Sequence, residues 1–474
     1  MVVGELNTEV DVVVIGSGPG GYVAALRCAQ LGLETVLIEK NQLGGVCTND
    51  GCIPSKALIH AANIAFDSIH SEKMGITSNT KIDVKKMQEW KGEVVNGLRN
   101  GIASLCKSYG VEIVKGTASF RSSELIAVQA EHGTAYYRFK NAIIATGSSP
   151  IALKGLEFDH RRIIDSSDAL ALKEIPKRFI VVGAGYIGIE MATLFAKLGS
   201  NVTIIYRGER ILKNLESELG MAVQKRFEAL GIKLLLNSSI TDWDVKGKSA
   251  FATVKSEGAN KKPQKIPFDK ILVAVGHEPC TKGLGLEKTK VELDEKGFIK
   301  VDPGRKTQDP NIFAVGDVTG APMLAHKAFR EGKVAAEVIA GKKSAFDNAA
   351  IPLVVFSDPE LASTGMGEEE AKSKGFNVKS SRFPLTASGR ARTMDAGAGG
   401  FVKLVSDTES KILLGAHIAA PNASELISEL SLAIEMGAQL EDVAATIHPH
   451  PTLSESVMES ADVGLDKCVH LMKR

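Results

Sequence analysis

Residues 11–39 read DVVVIGSGPGGYVAALRCAQLGLETVLIE, and this stretch determines the fold that the sequence predicts. The apolar run over residues 12–15 is typical of a strand buried on both faces of a sheet. A helix is predicted over residues 22–31, and a second strand over 35–38 ends at Glu39. In such a βαβ unit the helix N-terminus faces a pyrophosphate and the acidic residue faces a ribose. The glycines predicted to line this site are Gly16, Gly18 and Gly21.

A second copy of the unit begins with a strand predicted over residues 179–182. Its glycine-rich turn precedes a helix over 189–198 and a strand over 202–205, which ends at Tyr206 at the same spacing as Glu39 in the first copy. One such motif is a weak signal, but two in matching context predict two bound dinucleotides. A flavin and a nicotinamide are the simplest pair. The turn residues predicted to line the second site are Gly183, Gly185, Tyr186 and Gly188.

Two further buried strands, predicted over residues 141–147 and 270–276, each end in a tight glycine turn and are expected to close the two dinucleotide domains. A strand over 311–317 is expected to deliver Asp317 at its carboxyl end, the edge at which such folds bind ligands. The remaining predictions are helices over 57–66, 81–107 and 423–436, antiparallel strands within 118–140 and 240–268, and C-terminal strands over 353–357, 400–406 and 411–418.

The composition excludes several classes of protein. The chain has 474 residues, enough for about three domains, and its 57 basic and 56 acidic residues predict neither a nucleic-acid surface nor an acidic tail. No apolar run is long enough to span a membrane, and no secretory leader is recognised, so a cytoplasmic location is expected. Six cysteines do not make a secreted disulfide scaffold. Four of them are expected to be buried or incidental thiols: Cys28, Cys106, Cys280 and Cys468.

The other two cysteines lie in residues 44–56, GGVCTNDGCIPSK. Pro54 suits the first turn of a helix, which places Cys52 near a helix N-terminus, where the helix dipole stabilises a thiolate. The sequence therefore predicts a redox pair formed by Cys47 and Cys52.

Near the end of the chain, residues 448–455 read HPHPTLSE. A proline follows each histidine, so the backbone is predicted to be extended and stiff. Glu455 is placed to orient the imidazole of His450 and leave its second nitrogen as a base. An exposed turn without a role is the alternative, whereas the spacing of His448 and His450 is poor for zinc.

Together these stretches resemble the flavin-dependent pyridine nucleotide–disulfide oxidoreductases over essentially the whole chain. Residues 44–56 satisfy every fixed position of the family signature GGxCxNxGCxPSK. Within the family, residues 47–58, 323–328 and 448–455 are most similar to the dihydrolipoamide dehydrogenases. The resemblance implies an α/β fold with two Rossmann-like dinucleotide-binding domains and an α+β C-terminal dimerisation domain. The expected bounds are 1–150 for the FAD domain, 151–278 for the NAD(P) domain, 279–348 for a central segment completing the FAD site, and 349–474 for the dimer interface.

The resemblance also implies residue roles. Cys47 is the thiol that exchanges with substrate, Cys52 faces the flavin, and Lys56 and Glu190 form an ion pair near the flavin ring. His450, held by Glu455, is the base and comes from the other subunit of a homodimer. The residues implied in FAD binding are Gly16, Gly18, Gly21, Glu39, Lys56, Thr146, Gly147, Asp317 and Ala325.

The implied reaction oxidises dihydrolipoamide to lipoamide through a Cys47–Cys52 disulfide and FAD, with hydride transfer to NAD or NADP. Tyr186 is implied to lie on the nicotinamide side of the flavin. No lipoyl domain is visible in the sequence, so the lipoyl group is expected on a partner in a 2-oxoacid dehydrogenase or related complex, or as free substrate. Neither a nucleic-acid partner nor a membrane partner is expected.

The sequence departs from the family where the ribose of NAD is usually bound by an acidic residue. Tyr206 stands there and is followed by Arg207 and Arg210, which favours the 2′-phosphate of NADP because guanidinium groups pair with phosphate. The alternative is that both arginines face solvent and NAD binds. The residues expected at the coenzyme are Gly183, Gly185, Tyr186, Gly188, Tyr206, Arg207, Arg210 and Gly276. Asp50, if close to the dithiol, is expected to oppose thiolate formation, and His277 replaces the usual arginine.

Two other functions compete with this prediction. An NADPH-dependent reductase of another small disulfide fits the arginines, whereas the HPHPTLSE ending favours dihydrolipoamide. A non-catalytic flavoprotein, acting as a redox sensor or scaffold, is opposed by the complete set of Cys47, Cys52, Lys56, His450 and Glu455.

Overall fold

The computed structural model describes residues 7–247, 249–257 and 262–472 of the chain. Its first part is built around a seven-stranded sheet of order β3-β2-β1-β6-β5-β4, in which β17 also pairs with β6. The strands and helices of this part are β1 (Asn7–Ile15), α1 (Pro19–Gln30), β2 (Thr35–Glu39), α2 (Gly45–Asn49), α3 (Cys52–Ile69), α4 (Val84–Ser108), β3 (Glu112–Lys115), β4 (Thr117–Ser122), β5 (Leu125–Ala130), β6 (Gly133–Ile144) and β7 (Ser148–Pro150).

The strand β1 lies at the centre of this sheet. It pairs in parallel with β2 on one side and with β6 on the other. Val12, Val13 and Val14 are fully buried, which confirms that the apolar run is a strand covered on both faces. The carboxyl ends of β1, β2 and β6 therefore meet at one edge of the sheet, where the first glycine-rich turn begins.

The second part repeats this arrangement with a five-stranded parallel sheet of order β11-β10-β9-β15-β8. An antiparallel sheet of β12, β13 and β14 is attached to it, and β16 pairs with β7 of the first part. The elements are β8 (Ile163–Ile164), α5 (Ser166–Leu170), β9 (Arg178–Val182), α6 (Tyr186–Lys197), β10 (Asn201–Ile205), α7 (Ser217–Ala229), β11 (Lys233–Leu235), β12 (Ser238–Lys246), β13 (Ser249–Ser256), β14 (Gln264–Phe268), β15 (Lys270–Val273) and β16 (His277–Pro279).

A central segment returns to the first sheet through β17 (Ile312–Ala314), which pairs in parallel with β6, and continues into α8 (Ala325–Ile339). The strand predicted to end at Asp317 therefore stops three residues earlier, and Asp317 lies in a 3-10 turn, Gly316–Thr319. Glu331 of α8 is fully buried and accepts a hydrogen bond of 2.7 Å from the Gly316 backbone amide. This bond ties the turn that carries Asp317 to α8.

The C-terminal part is a five-stranded antiparallel sheet of order β18-β19-β22-β21-β20. Helices cover this sheet, and its core includes Leu404, Ile418, Leu430 and Val457. The elements are β18 (Leu353–Val355), β19 (Leu361–Gly365), α9 (Glu368–Ser373), β20 (Val378–Pro384), α10 (Gly389–Thr393), β21 (Phe401–Asp407), β22 (Leu413–Ala419), α11 (Ala423–Glu435), α12 (Leu440–Ala445) and α13 (Glu455–Gly464).

Several predicted elements begin earlier in the structure: α3 begins at Cys52 instead of residue 57, and β6 begins at Gly133 instead of residue 141. The helices α1 and α6 begin at Pro19 and Tyr186, three residues earlier than predicted, because a helix can start within a glycine-rich turn and proline fits its first position. Among the described residues, no helix is long and apolar enough to cross a membrane.

Candidate active site

The first glycine-rich turn is shaped by what a side chain at each glycine would meet. Gly16 has a positive φ of 97°, and a Cβ there would collide with the Ala145 backbone. A Cβ on Gly21 would collide with the Gly16 carbonyl. A Cβ on Gly18, by contrast, would have no atom within 4 Å. Two of the glycines are therefore needed for close packing, and the third leaves open space at the N-terminus of α1, as a pyrophosphate requires.

Glu39 lies beside this turn at the end of β2 and is buried. One carboxylate oxygen accepts hydrogen bonds from the Ser17 backbone amide (2.9 Å) and from Ser17 Oγ (2.7 Å). The other accepts one from the Asn41 amide (2.8 Å). These three donors fix the carboxylate at the edge of the turn, in the position expected for a ribose ligand.

The second glycine-rich turn has the same construction. Gly183 has a φ of 114°, and a Cβ there would collide with the Ala274 carbonyl. A Cβ on Gly188 would collide with the Gly183 carbonyl, whereas one on Gly185 would have open space. The repeat in the sequence is thus a repeat in backbone geometry, with open space at Gly185, at the N-terminus of α6.

The segment after β10 differs from its counterpart in the first unit. Arg207 is exposed. The Arg210 guanidinium donates hydrogen bonds to the carbonyls of Lys213 (2.7 Å) and Leu215 (3.3 Å). A Cβ on Gly208 would lie 2.5 Å from the Tyr206 ring, so the loop folds closely over that ring. Arg210 thus already ties the loop together, whereas Arg207 extends from its surface.

The two cysteines predicted to form a redox pair lie on neighbouring helices. Cys47 is within the five-residue helix α2, and Cys52 is the first residue of α3. A Cβ on Gly45 would lie 2.6 Å from Gly18 Cα, and the Gly44 amide donates to the Ser17 carbonyl (3.1 Å). The fold therefore packs the cysteine loop directly against the first glycine-rich turn.

The two thiols differ in acidity because they interact with each other. A hydrogen bond from Cys47 and the positive charge of Lys56 lower the pKa of Cys52, against the opposing effects of burial and Glu190. The same hydrogen bond, together with burial and the charge of Cys52, raises the pKa of Cys47. The two shifts have opposite directions, so Cys52 is the more acidic of the two thiols.

Lys56 and Glu190 form the ion pair that the resemblance implied. The Lys56 ammonium lies 2.9 Å from Glu190 Oε2, and Glu190 Oε1 accepts a hydrogen bond of 3.0 Å from the Phe356 amide. The ammonium also lies 4.4 Å from the centroid of the Phe356 ring. Burial raises the pKa of the Tyr186 hydroxyl, and the negative charges of Asp317, Glu190 and Cys52 add to this effect. The charge of Glu190 therefore acts on both Cys52 and Tyr186.

The remaining residues predicted at the first site lie around the junction of β6, β7 and β17. Ser148 Oγ donates to Asp317 Oδ2 (2.8 Å). Thr146 Oγ1 donates to the Cys280 carbonyl (2.8 Å). Ala325 is the first residue of α8. Gly147 has a positive φ of 71°, as a tight turn at a strand end requires. Gly276, which was predicted at the coenzyme site, has a φ of 140° at the corresponding turn.

His450 and Glu455 are in direct contact. His450 Nδ1 lies 2.7 Å from Glu455 Oε1, and Glu455 Oε2 accepts a hydrogen bond of 2.8 Å from the Thr452 amide. Burial of Glu455 raises its pKa, but the hydrogen bonds from His450 and Thr452 outweigh this, so its pKa is lowered. The carboxylate therefore orients the imidazole and leaves Nε2 available to a substrate. The His450 side chain is 79% exposed on this chain.

The chain matches known families along most of its length. Residues 10–332 match the family described as pyridine nucleotide-disulphide oxidoreductase, and residues 351–461 match its dimerisation domain. The chain belongs to the pyridine nucleotide-disulphide oxidoreductase family. The predicted family, α/β fold and enzyme class are thereby confirmed.

Curated relatives of this oxidoreductase are similar over their full length. A protein named dihydrolipoyl dehydrogenase 2 from Haloarcula marismortui is 46% identical over 473 residues, covering 99% of this chain and all of that protein. Dihydrolipoyl dehydrogenase from Geobacillus stearothermophilus is 46% identical over 475 residues, covering both chains completely.

Solved structures of the same fold include two bacterial proteins. LpdA from Mycobacterium tuberculosis superposes with a TM-score of 0.88 at 25% identity, covering 96% of this oxidoreductase and 99% of LpdA. The HOCl-induced flavoprotein disulfide reductase RclA from Escherichia coli superposes with a TM-score of 0.84 at 27% identity and the same coverage.

Three features of the oxidoreductase were not predicted from its sequence. Ser17 holds Glu39, and Arg99 binds Asn49 in the cysteine loop. The imidazole of His448 is buried and contacts Glu429 (2.9 Å) and the Thr446 carbonyl (2.8 Å). The alternation of histidine and proline gives no sign that one histidine is structural and the other exposed.

Three further predictions concern the other four cysteines, Asp50 and His277. Cys28 and Cys106 are buried, as expected, whereas Cys280 and Cys468 are partly exposed. Burial raises the pKa of Asp50, and the charges acting on it are those of Arg99, Asp165 and Lys91. Burial lowers the pKa of His277, against the charges of Asp317 and Asp165.

Proposed function

We propose that this oxidoreductase is a dihydrolipoyl dehydrogenase that uses the Cys47–Cys52 pair, FAD and a nicotinamide coenzyme. The observation that carries the proposal is the packing of the cysteine loop directly against the first glycine-rich turn, which leaves open space at Gly18. The opposite pKa shifts of the two thiols agree with it. The full-length relatives named dihydrolipoyl dehydrogenase support this choice of substrate.

In the proposed exchange, the dithiol of one subunit acts together with His450 of the partner subunit. A substrate thiol gives its proton to His450 Nε2, and the resulting thiolate attacks Cys47 Sγ in the oxidised Cys47–Cys52 disulfide. That disulfide bond breaks, and Cys52 leaves as a thiolate stabilised by Lys56. The second substrate thiol then attacks the substrate sulfur of the mixed disulfide. Lipoamide closes, and Cys47 leaves with a proton. Two electrons have passed from the substrate to the Cys47–Cys52 pair.

The residues of the first glycine-rich turn fit FAD. The open space at Gly18 accommodates a pyrophosphate, Glu39 offers carboxylate oxygens to a ribose, and Asp317 offers one to the ribityl chain. When bound, FAD supplies the two-electron chemistry that connects a dithiol to a nicotinamide. Lys56 and Glu190 add an ion pair beside the dithiol, and under this proposal Tyr186 covers the coenzyme side.

We also propose that NADP is preferred over NAD, with Arg207 as the main ligand of the 2′-phosphate. Tyr206 removes the carboxylate that repels this phosphate, and Arg207 is exposed beside it. Arg210, which the sequence placed in the same role, already donates to two loop carbonyls. A hydrogen bond to a charged group contributes about 1.5–3 kcal/mol, so Arg207 alone supports a preference of about tenfold or more.

The test compares kcat/KM for dihydrolipoamide oxidation by the FAD-loaded dimer with NAD and with NADP. Turnover with an NADP preference is expected, and Cys47→Ser should abolish turnover while FAD stays bound. Turnover with NAD alone would refute the role of Arg207 but would still support dihydrolipoamide as the substrate. A Cys47→Ser enzyme that still oxidises dihydrolipoamide would refute the mechanism.

A second candidate function is reduction of another small disulfide with NADPH. It is favoured by Arg207 and by the structural similarity to RclA, a flavoprotein disulfide reductase. It becomes the better proposal if the FAD-loaded enzyme shows no turnover with dihydrolipoamide and instead oxidises NADPH with an oxidised thiol. Under the main proposal we expect a homodimer that receives lipoyl groups from a partner in a 2-oxoacid dehydrogenase or related complex.

A further inference from the structure

We propose that Arg99, on α4, is a positioning residue for the redox pair and acts through Asn49. The inference rests on the proposed function, because it assigns Arg99 a part in the Cys47–Cys52 exchange. Neither the cysteine spacing nor the two glycine-rich turns point to α4, which contributes no group to the reaction itself.

Two donors of the Arg99 guanidinium bind the same oxygen of Asn49. Arg99 Nε and Nη2 lie 3.0 Å and 2.8 Å from the single oxygen Asn49 Oδ1. The amide nitrogen of Asn49 donates to the carbonyls of Leu43 (2.8 Å) and Gly45 (2.9 Å). Both ends of the Asn49 amide are therefore engaged.

Arg99 and the loop carbonyls select the same orientation of the amide. An asparagine amide can rotate to exchange its oxygen and nitrogen, and its orientation is set by its hydrogen-bond partners. Arginine only donates, so it binds Oδ1 and directs Nδ2 toward the two carbonyls. The reversed amide would place Oδ1 against the carbonyl oxygens of Leu43 and Gly45, which repel it, so the guanidinium reinforces an orientation that the loop itself favours.

The amide closes the turn that carries Cys47. Leu43 and Gly45 lie at the start of α2 and Asn49 is its last residue, so these bonds join the two ends of the helix. A five-residue helix is not stable by itself, and its N-cap residue, Gly44, has no side chain that could cap it. Its position therefore depends on outside contacts: Gly18 on one side, and Arg99 on the other.

The helix α4 is suited to hold this turn in place. It has 25 residues, and Val95 and Ile102, on either side of Arg99, are buried. The Arg99 charge also lowers the pKa of Asp50, which burial raises, so the same side chain balances the carboxylate next to Asn49. Loss of Arg99 would leave Asn49 Oδ1 without its two donors, untie the cysteine loop from α4 and leave Asp50 less compensated.

The experiment compares Arg99→Met with Arg27→Met in the FAD-loaded dimer. Arg27 is a matched control: its Nε and Nη2 lie 3.1 Å and 2.8 Å from Glu337 Oε1, joining α1 to α8 away from the cysteine loop. Two activities are measured. One is dihydrolipoamide oxidation, which needs the dithiol. The other is transfer from reduced coenzyme to a quinone, which takes electrons from the flavin without the dithiol.

We expect Arg99→Met to lower kcat for dihydrolipoamide about tenfold, because small displacements of reacting atoms are costly, and to leave quinone reduction within about twofold. Arg99→Lys, which keeps the charge and one donor, should recover part of the loss. Arg27→Met should change neither activity. The absorbance band between the thiolate and the flavin in reduced enzyme should weaken in Arg99→Met alone.

Two results would overturn the inference. The first is dihydrolipoamide turnover in Arg99→Met equal to wild type. The second is an equal loss of both activities together with loss of FAD, which would make Arg99 a general stability residue. In either case the Cys47→Ser enzyme keeps the proposals separate: if it is inactive, the proposed function stands and only the role of Arg99 fails.

Discussion

At the scale of single residues, the chemistry depends on which of two thiols carries the charge. Lys56 lowers the pKa of Cys52, and Glu190 opposes it from the other end of the same ion pair. The two charges of the ion pair therefore act on the pKa of Cys52 in opposite directions. The effect of Lys56, which favours the thiolate, is the larger of the two.

Replacing Lys56 with Met should raise the pKa of Cys52, because a nearby positive charge favours a thiolate. We expect the midpoint of a pH titration of thiolate absorbance in the reduced dimer to move upward by about one pH unit. Glu190→Gln should move it downward. Lys91→Met serves as the control, since Lys91 acts on Asp50 from α4. A titration unchanged in both Lys56→Met and Glu190→Gln would contradict this assignment.

Coenzyme choice also depends on one residue. Arg207→Gln should lower kcat/KM for NADP about tenfold and leave kcat/KM for NAD nearly unchanged, because only NADP carries the 2′-phosphate. Arg210→Gln is the comparison: its guanidinium donates to loop carbonyls, so it should weaken both coenzymes alike. An equal loss for both coenzymes in Arg207→Gln would show that Arg207 does not bind the phosphate.

At the scale of elements, a buried charge cluster joins the C-terminal sheet to the second dinucleotide-binding part. Lys403 of β21 is 5% exposed. Its ammonium lies 2.9 Å from Glu216, which precedes α7, and 3.3 Å from both Glu218 of α7 and Glu368 of α9. One cation thus faces three carboxylates, so its removal leaves like charges close together.

Lys403→Met should lower the thermal unfolding midpoint of the FAD-loaded dimer, with a loss of about 3 kcal/mol, as for other broken buried ion pairs. Hydrogen bonds from Lys372 and Ser380, together with Lys403, lower the pKa of Glu368 from 4.5 to about 2. A lowered carboxyl pKa stabilises the fold above the unfolded-state value. The difference from wild type should therefore be complete above about pH 4.5 and shrink as the pH falls toward 2.

The control for this measurement is Lys374→Met. Lys374 pairs with Glu370 at 2.8 Å on the exposed face of α9, and such a pair contributes less than about 1 kcal/mol. A Lys403→Met enzyme that unfolds at the same temperature as Lys374→Met would contradict the importance of the cluster.

Elements formed by local patterns could be predicted from the sequence, and contacts between distant elements could not. The apolar run of β1, the two glycine-rich turns and the dithiol loop each have a short signature, and the structure places them as expected. Asn49 and Arg99 lie 50 positions apart, and nothing in either segment marks the other. The end of the strand before Asp317 was misplaced because Glu331, on α8, holds the following turn.

At the scale of the whole molecule, the exposure of His450, the proposed base, is what we expect if one chain does not complete its own site. The His450 side chain is 79% exposed, although Glu455 fixes its orientation. Large apolar side chains nearby in sequence are also exposed: Ile447 at 95%, Met436 at 76% and Leu432 at 61%. Such a surface is typical of an interface, and residues 351–461 match a dimerisation domain. The base of each site is therefore expected from the partner subunit.

Mixed dimers test this arrangement directly. Cys47→Ser and His450→Gln chains, each with its own affinity tag, are refolded together with FAD, and only dimers carrying both tags are purified. If the base comes from the partner, one site joins the intact dithiol of one chain to the intact His450 of the other, and the second site lacks both. The mixed dimer should then have about half of the wild-type turnover, since one of two equivalent sites works. If His450 serves its own chain, each site lacks one group and the mixed dimer should be as inactive as its parents. A mixed dimer of wild-type and Cys47→Ser chains, which keeps one complete site under either arrangement, gives the reference rate for a single working site.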